Sequence, residues 1–212
     1  MLLIIPALLI AAALALYLIW ANGALSITRC ALEFEGLHEG FDGFVIAQVS
    51  DLHNASFGEG NEKLLGALRD AEPDIIAVTG DLVDSRHTDI GTALAFIEAA
   101  AEIAPVYYVT GNHEARLGFE AIERGLIDAG ARLLRGESVE LRRGGGSITL
   151  AGIDDPAFIK GGGSAAERAE AQLSSLGRGG FTVLLAHRPE LIDSYAGYAD
   201  LVLSGHAHGG QV

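Results

Sequence analysis

One stretch of sequence decides the fold, residues 44–53, which read FVIAQVSDLH. Its first six residues are almost all apolar, as expected of a strand that is covered on both faces. Asp51 and His53 follow two positions apart, so in an extended segment their side chains would leave on the same face. The stretch therefore predicts a buried strand that ends in a pair of polar side chains.

The same alternation of strand and helix patterns continues along the chain. Further apolar runs lie at residues 75–79, 106–110, 181–186 and 201–203. Helical patterns lie at residues 61–71, 88–103, 118–129 and 165–176. Period-two alternation predicts a strand over residues 26–35 and a hairpin from residues 138–141 and 147–151. Strands that alternate with helices predict a layered α/β domain.

The composition is that of one folded domain with a large acidic excess. The chain has 212 residues, 50% of them hydrophobic, and a formal net charge of −14 at pH 7. This length allows one sizeable domain, which we place at residues 26–212. The negative charge argues against a nucleic-acid partner because it repels a polyanion. The single cysteine, Cys30, excludes a disulfide framework within the chain and a four-cysteine zinc site.

Residues 1–22 form an apolar segment of the length that crosses a bilayer. The first twenty carry no charge, and Tyr17 and Trp20 lie where interfacial aromatic residues are usual. We therefore predict a membrane anchor or uncleaved signal. A cleaved signal peptide is the alternative, since Ala21 and Gly23 are small, but a basic stretch at the start is missing. Arg29, the first basic residue, favours a cytoplasmic globular part without settling the topology.

Polar residues follow every predicted buried strand, at the end where open α/β sheets bind their ligands. Five of the seven histidines belong to this set. Carboxylate, amide and imidazole groups together suit Mn, Fe or Zn better than calcium, and here they are too numerous for one ion. Two ions about 3.5 to 4 Å apart that share a carboxylate would use them all and would clamp a phosphorus centre for in-line displacement. The residues are Asp51, His53, Asp81, Asn112, His113, His187, His206 and His208.

In order and spacing these blocks resemble the calcineurin-like metallophosphoesterases, from about residue 44 to residue 212. The blocks are Asp51-x-His53, Gly80-Asp81, Gly111-Asn112-His113-Glu114, His187 and Gly205-His206-x-His208. The phrases QVSDLH, TGDLVD and GHAHGGQ are similar to the membrane-associated bacterial branch, which includes phosphodiesterases of the YaeI and YkuE type and UDP-2,3-diacylglucosamine pyrophosphatases. The resemblance implies a four-layer α/β/β/α sandwich with two mixed sheets. Together with the apolar segment, it implies a location in the inner or cytoplasmic membrane of a bacterium.

The resemblance also implies a role for each residue. A hydroxide between two divalent ions would be the nucleophile. His113, which is not a ligand in the family, would act on the leaving oxygen as a catalytic residue, with Asp51 as its catalytic partner. One ion would be held by Asp51, His53, Asp81 and His208, and the other by Asp81, Asn112, His187 and His206, with Asp81 as the bridge.

The activity implied is hydrolysis of a phosphodiester or pyrophosphate bond. A membrane anchor favours a lipid-linked substrate, and a soluble cyclic or nucleotide phosphodiester stays open. A non-catalytic metal-binding scaffold or a regulatory binding module on the same fold is the alternative function.

Several charged residues near the blocks have simpler interpretations. Arg116 and Arg188 border the site and are candidates for binding a substrate phosphate, although an exposed charge explains them and Glu114 equally well. Turn formation is enough to explain Asp154 and Asp155. Family members continue beyond the last histidine block, so we expect the chain that ends at residue 212 to lack the C-terminal strands of the second sheet.

Overall fold

The N-terminal part of the structure is a helix. The computed structural model describes residues 4–177 and 179–208, and helix α1 is Ile4–Gly23. Taken over those residues, no helix is both long enough and apolar enough to cross a membrane. The predicted membrane-spanning helix within residues 1–22 is therefore unsupported. Residues 1–3 of that segment and residues 209–212 at the other end of the chain lie outside the described part. The location of the protein stays a prediction.

The first sheet has four strands within the described residues, in the order β1-β2-β3-β4, and all are parallel. They are β1 (Ile46–Val49), β2 (Ile75–Val78), β3 (Val106–Tyr108) and β4 (Ala131–Leu133). Its helices are α2 (Glu62–Ala71), α3 (Ile90–Ala101), α4 (Asn112–Leu117) and α5 (Glu120–Asp128). The first three predicted strands are confirmed, one or two residues shorter than expected. The first begins two residues later than predicted, and the other two end one and two residues earlier.

The second sheet has the order β5-β6-β7-β8 and is mixed. The predicted hairpin is confirmed, because the first two strands pair antiparallel through a two-residue turn whose glycines both have positive φ. The strands are β5 (Glu137–Arg143), β6 (Gly146–Gly152), β7 (Thr182–Leu185) and β8 (Leu201–Leu203), and the helices are α6 (Ala165–Ser175) and α7 (Ile192–Tyr195). Single 3-10 turns lie at Glu39–Phe41, Glu59–Asn61, Pro156–Phe158 and Pro189–Leu191.

Three buried apolar clusters stack these elements into four layers. Along β2, Ile76 and Val78 face helices α2, α3 and α5, whereas Ile75 and Ala77 face the second sheet. The other face of the second sheet packs against α6 and α7, in a cluster that includes Leu184. Because successive side chains of a strand point to opposite faces, each sheet is covered on both sides. The predicted order of helices, sheet, sheet and helices is confirmed.

Two parts of the predicted architecture are wrong. Residues 24–34 form no strand, although the pattern over residues 26–35 predicts one. Alternation shows only that a segment can present two faces. Ile27 and Leu32, which would lie on opposite faces of the predicted strand, are both exposed, and the segment pairs with no described strand. The first sheet is parallel throughout its described strands, so only the second sheet is mixed. Strand β4 is not predicted, since three residues are too short to show a pattern.

Replacing Leu150 with alanine should lower the free energy of unfolding by about 2–5 kcal/mol, because it empties a fully buried site between the two sheets. Urea unfolding monitored by circular dichroism measures the loss. Ile127→Ala is the matched control, since Ile127 is 54% exposed, and it should change the free energy by less than about 0.5 kcal/mol. Equal losses in the two variants would contradict the position of the core.

Candidate metal centre

The predicted polar residues meet at one place, where strands of both sheets end. Asp51 follows β1, Asp81 follows β2 and Asn112 begins α4 after β3, while His187 follows β7 and His206 follows β8. Parallel strands bring their carboxyl ends to one edge of each sheet. Residues that lie as many as 155 positions apart in the chain are therefore within hydrogen-bonding distance.

The backbone at this edge is strained. The residues with left-handed backbone include five predicted site residues, whose φ lies between +46° and +66°: Asp51, His53, Asp81, His206 and His208. Such a conformation is uncommon for any residue other than glycine, and it persists where neighbouring structure enforces it. Backbone hydrogen bonds supply that constraint here, from Asp51 to the Gly80 carbonyl at 3.1 Å and from His53 to the Asp81 carbonyl at 3.0 Å. Asp51 and His53 thus converge through a tight loop rather than on the extended segment that their spacing predicts.

Two glycines allow the loops to approach each other closely. A Cβ atom at Gly111 would collide with the Asp81 carboxylate, and one at Gly205 would collide with the Ser50 hydroxyl and the Asp51 carboxylate. Neither glycine has a positive φ, so close approach and not backbone freedom is what requires glycine there.

The first cluster of candidate ligands contains Asp51, His53 and His208. The Nε2 atoms of the two histidines are 3.1 Å apart, and the Asp51 Oδ1 atom lies 3.9 Å from that of His53 and 3.7 Å from that of His208. Two imidazole nitrogens bound about 2.1 Å from one ion are ~3.0–3.4 Å apart at octahedral or tetrahedral angles. The spacing of the histidines therefore fits a shared ion. The backbone N–H of His206 donates to both Asp51 oxygens, at 2.9 and 3.0 Å, and orients the carboxylate.

The second cluster contains Asp81, His187, His206 and Asn112. The Nε2 atom of His187 lies 3.3 Å from the Asp81 Oδ2 atom, 3.3 Å from the Asn112 Oδ1 atom and 3.2 Å from the His206 Nδ1 atom. The same Asp81 oxygen is 3.8 Å from the Nε2 atom of His53. Asp81 therefore lies between the two clusters, where a bridging carboxylate would be required.

A backbone carbonyl orients the buried ring of His187. Its Nδ1 atom lies 2.8 Å from the Thr79 carbonyl oxygen, which can only accept a hydrogen bond. The proton of the neutral ring is therefore on Nδ1, and Nε2 offers its lone pair to the cluster. Metal-binding histidines in proteins are commonly oriented by such an acceptor behind the ring.

The electrostatics of the clusters favour most of the ionisation states that a metal requires. Burial opposes the charge of Asp81, but hydrogen bonding and attraction from His187, together with the His113 N–H, lower its pKa to about 2. Burial lowers the pKa of His53, and burial followed by the charge of Arg188 lowers the pKa of His206. Only for His187 does the attraction of Asp81 outweigh burial and raise the pKa. Metal binding there would displace a proton wherever the pH lies below that raised pKa.

The ring of His113 borders the first cluster. It lies edge-on to the ring of His53, with centroids 4.4 Å apart, and its Nδ1 atom accepts a hydrogen bond from the Ser85 backbone at 3.0 Å. The carboxylate beside Nδ1 is that of Asp84, at 3.5 Å, whereas the sequence predicts Asp51, which is held by another loop. The pKa of Asp84 is lowered, chiefly by the Arg86 backbone N–H. In the sequence, Asp84 is the last residue of the phrase TGDLVD, three positions after Asp81.

Glu114 is a structural residue of the site that sequence reasoning missed. Its side chain is fully buried, whereas an exposed charge was the simpler expectation. The two carboxylate oxygens accept four backbone hydrogen bonds, from Gly111 and Asp81 at 2.8 and 3.0 Å and from Leu82 and Val83 at 2.8 and 3.3 Å. Glu114 thereby joins the loop after β2 to the first turn of α4, so it holds two candidate ligand segments together.

The two predicted phosphate-binding arginines differ in position. Arg116 is exposed in the last turn of α4. Arg188 lies at the second cluster, where its Nη1 atom is 3.0 Å from His206 Nε2 and its Nε donates to the buried Asp155 carboxylate at 2.6 Å. Asp155 is therefore more than a turn residue.

The fold and these clusters define the chain as a protein of the metallophosphoesterase class. Its similarity to known proteins agrees with this class. Residues 44–210 match the Calcineurin-like phosphoesterase family. The chain is 32% identical to the metallophosphoesterase YkoQ of Bacillus subtilis over 79% of its own length, and 30% identical to YkuE of the same organism over 82%. The crystal structure of phosphopantetheinyl hydrolase (PptH) from Mycobacterium tuberculosis shares the fold, with a TM-score of 0.54 at 18% identity over 77% of this chain and 83% of that one. The chain belongs to the calcineurin-like phosphoesterase family.

The matched region is a part of each of these relatives. The chain spans 62% of the length of YkoQ and 61% of the length of YkuE.

Glu114→Gln should destabilise the protein by about 1–3 kcal/mol, because the amide nitrogen would face backbone N–H donors that now find a carboxylate oxygen. It should also weaken metal binding, since the loops that carry Asp81 and Asn112 lose their connection. Thermal unfolding and metal titration measure the two effects. Glu120→Gln on the exposed first turn of α5 is the control, and a Glu114 variant that behaves like it would refute the role.

The stability of the metal-free protein should fall in acid through Asp81. The pKa of Asp81 is about 2 in the folded chain, below the ordinary value of 3.8 for an aspartate, so its stabilisation is present above pH 3.8 and is lost as the pH falls toward 2. In chelator-treated protein, Asp81→Asn should therefore lose less stability than the parent chain between those pH values. Asp128→Asn, at an exposed position, should follow the parent curve, and an Asp81→Asn curve parallel to both would argue against the shift.

Proposed function

We propose that the chain is a dinuclear metal-dependent phosphohydrolase that cleaves a phosphodiester or pyrophosphate bond. One observation carries the proposal: two clusters of carboxylate, imidazole and amide ligands lie side by side, and the Asp81 Oδ2 atom lies 3.3 Å from His187 in one and 3.8 Å from His53 in the other. A structural metal site would need one closed set of ligands, whereas paired sets at a strand-end edge suit catalysis.

The residues fit two divalent ions of the Mn, Fe or Zn kind. Nitrogen and oxygen donors of this mixture are those that such ions prefer. When bound, such a pair supplies an activated water nucleophile and Lewis acidity toward phosphate oxygens. One ion would be held by Asp51, His53, Asp81 and His208, and the other by Asp81, Asn112, His187 and His206.

His113 is the proposed general acid. With Nδ1 accepting from Ser85, the neutral ring carries its proton on Nε2. That nitrogen can donate to the leaving oxygen, and imidazole does so effectively near neutral pH. Asp84 would stabilise the ring when it takes up a second proton, so it replaces Asp51 in this role.

Arg188 is the proposed binding group for the substrate phosphate. Its Nη1 atom lies beside the second cluster, and a guanidinium pairs well with phosphate oxygens. A lipid-linked substrate stays a prediction, with a soluble phosphodiester as the alternative.

The proposed activity is tested with purified full-length protein. We expect it to bind about two equivalents of Mn²⁺ and to hydrolyse bis(p-nitrophenyl) phosphate, with activity lost to a chelator and restored by metal. Metal binding without hydrolysis of phosphodiester or pyrophosphate substrates would favour the non-catalytic scaffold.

Substitutions at the shared carboxylate and the proposed acid should separate the two roles. Asp81→Asn should abolish both metal binding and turnover, because both clusters lose their common ligand. His113→Ala should keep the metals and lower kcat by about 10²–10⁴-fold. His87→Ala is the control, since that side chain is 90% exposed, and unchanged turnover in both test variants would refute the assignment.

A further inference from the structure

Two consecutive aspartates each hold one arginine, and the two pairs have different surroundings. Asp154 accepts hydrogen bonds from the Nε and Nη2 atoms of Arg135, at 2.9 and 3.0 Å. Asp155 accepts hydrogen bonds from the Nε and Nη2 atoms of Arg188, at 2.6 and 3.5 Å. The loop after β6 therefore carries two similar ion pairs side by side in the sequence.

The first pair is enclosed by other side chains. The Arg135 guanidinium lies 4.8 Å from the ring centroid of Phe119 and 5.2 Å from that of Phe158. Its Nη1 atom donates to Glu123 at 2.8 Å. Two aromatic rings and two carboxylates contact this guanidinium, so the ion pair stabilises the packing of α5 against the loop.

The second pair directs one guanidinium nitrogen toward the candidate metal centre. Asp155 holds the Nε edge of Arg188, and the Nη1 atom lies 3.0 Å from His206 Nε2 and 3.2 Å from a Glu190 oxygen. The Asp155 side chain is completely buried, and the backbone N–H of Ala157 donates to it at 2.8 Å. A carboxylate held in this way cannot swing, so it determines where the guanidinium lies.

The Asp155 end of this pair is buried, whereas the Arg188 side chain is 24% exposed. Tyr195 is completely buried beside it, and its hydroxyl has no hydrogen-bond partner among the described residues. Burial, followed by the charges of Glu190 and Asp155, raises the pKa of Tyr195. An ion pair with one fully buried end is screened less than one that lies wholly in water, so this end of the pair holds its geometry more firmly.

We propose that Asp155 is a positioning residue that fixes Arg188 so that Nη1 binds an oxygen of the substrate phosphate. The inference rests on the proposed function. A free arginine side chain would lose conformational entropy on binding phosphate, whereas one that is already ordered loses little. Asp155 itself touches no substrate and acts through Arg188.

The matched pair Asp155→Asn and Asp154→Asn tests this role. Each asparagine keeps an oxygen for the hydrogen bond that the aspartate accepts from Ala157 or from Thr110. In Mn²⁺-loaded protein, Asp155→Asn should raise the Kd for inorganic phosphate about tenfold and raise KM more than it lowers kcat. Asp154→Asn should leave phosphate binding within about twofold, even where it lowers the unfolding temperature. Calorimetry and steady-state kinetics measure the two quantities, and equal phosphate affinities in the two variants would overturn the inference.

A double-mutant cycle shows whether Asp155 acts through Arg188. In an Arg188→Gln background, Asp155→Asn should cause no further loss of phosphate affinity, and the full loss in that background would overturn the inference. Should Asp155→Asn fail to fold, Arg188→Lys replaces it, since lysine keeps the charge but not the paired Nε and Nη2 donors. That variant should bind phosphate about as weakly as Arg188→Gln, and affinity equal to the parent protein would contradict the role of Asp155.

The outcome is separable from that of the proposed function. A parent protein that binds no metal or hydrolyses no phosphoester overturns the proposed function. Hydrolysis by the parent with indistinguishable Asp154 and Asp155 variants overturns only the positioning role.

Discussion

The buried carboxylate of Asp81 is the interaction on which the rest of the site depends. Its Oδ2 atom lies 3.3 Å from His187 Nε2 and 3.8 Å from His53 Nε2, and its Oδ1 atom accepts a hydrogen bond from the His113 backbone at 2.8 Å. A charged group that is 1% exposed is tolerated only where opposite charge or donors surround it. His187, which compensates part of this charge, is also one of the candidate ligands that would hold a cation beside Asp81.

The surrounding backbone is shaped to bring those groups together. Left-handed residues such as Asp51 and His206 are unfavourable in isolation, and they are held by hydrogen bonds between the loops. Glu114 accepts four backbone N–H groups behind Asp81, and Gly111 lets the two loops touch. The stability supplied by the stacked layers therefore offsets the unfavourable backbone conformations at this edge of the sheets. This edge is also where the candidate metal ligands lie.

The predictable parts of the fold are those with a strong local pattern. Strands β2, β3 and β7 have short apolar sequences because both of their faces are buried. Strand β1 is also mostly apolar, but it is only partly buried and Gln48 is exposed. The segment over residues 26–35 misleads, because alternation describes two faces but says nothing about a partner strand. Strand β4 is too short to have a pattern, and it forms by pairing with the edge of β3 through backbone hydrogen bonds.

The amino-acid sequence by itself determined the family, the layered architecture and the set of candidate ligands, because ligand type and order along the chain are properties of the chain alone. Only the tertiary structure decided which groups support those ligands. Asp84 beside His113, the buried Glu114, and Asp155 holding Arg188 all depend on hydrogen bonds and ion pairs between loops. Such contacts form between residues that are distant in the chain, so no local pattern records them.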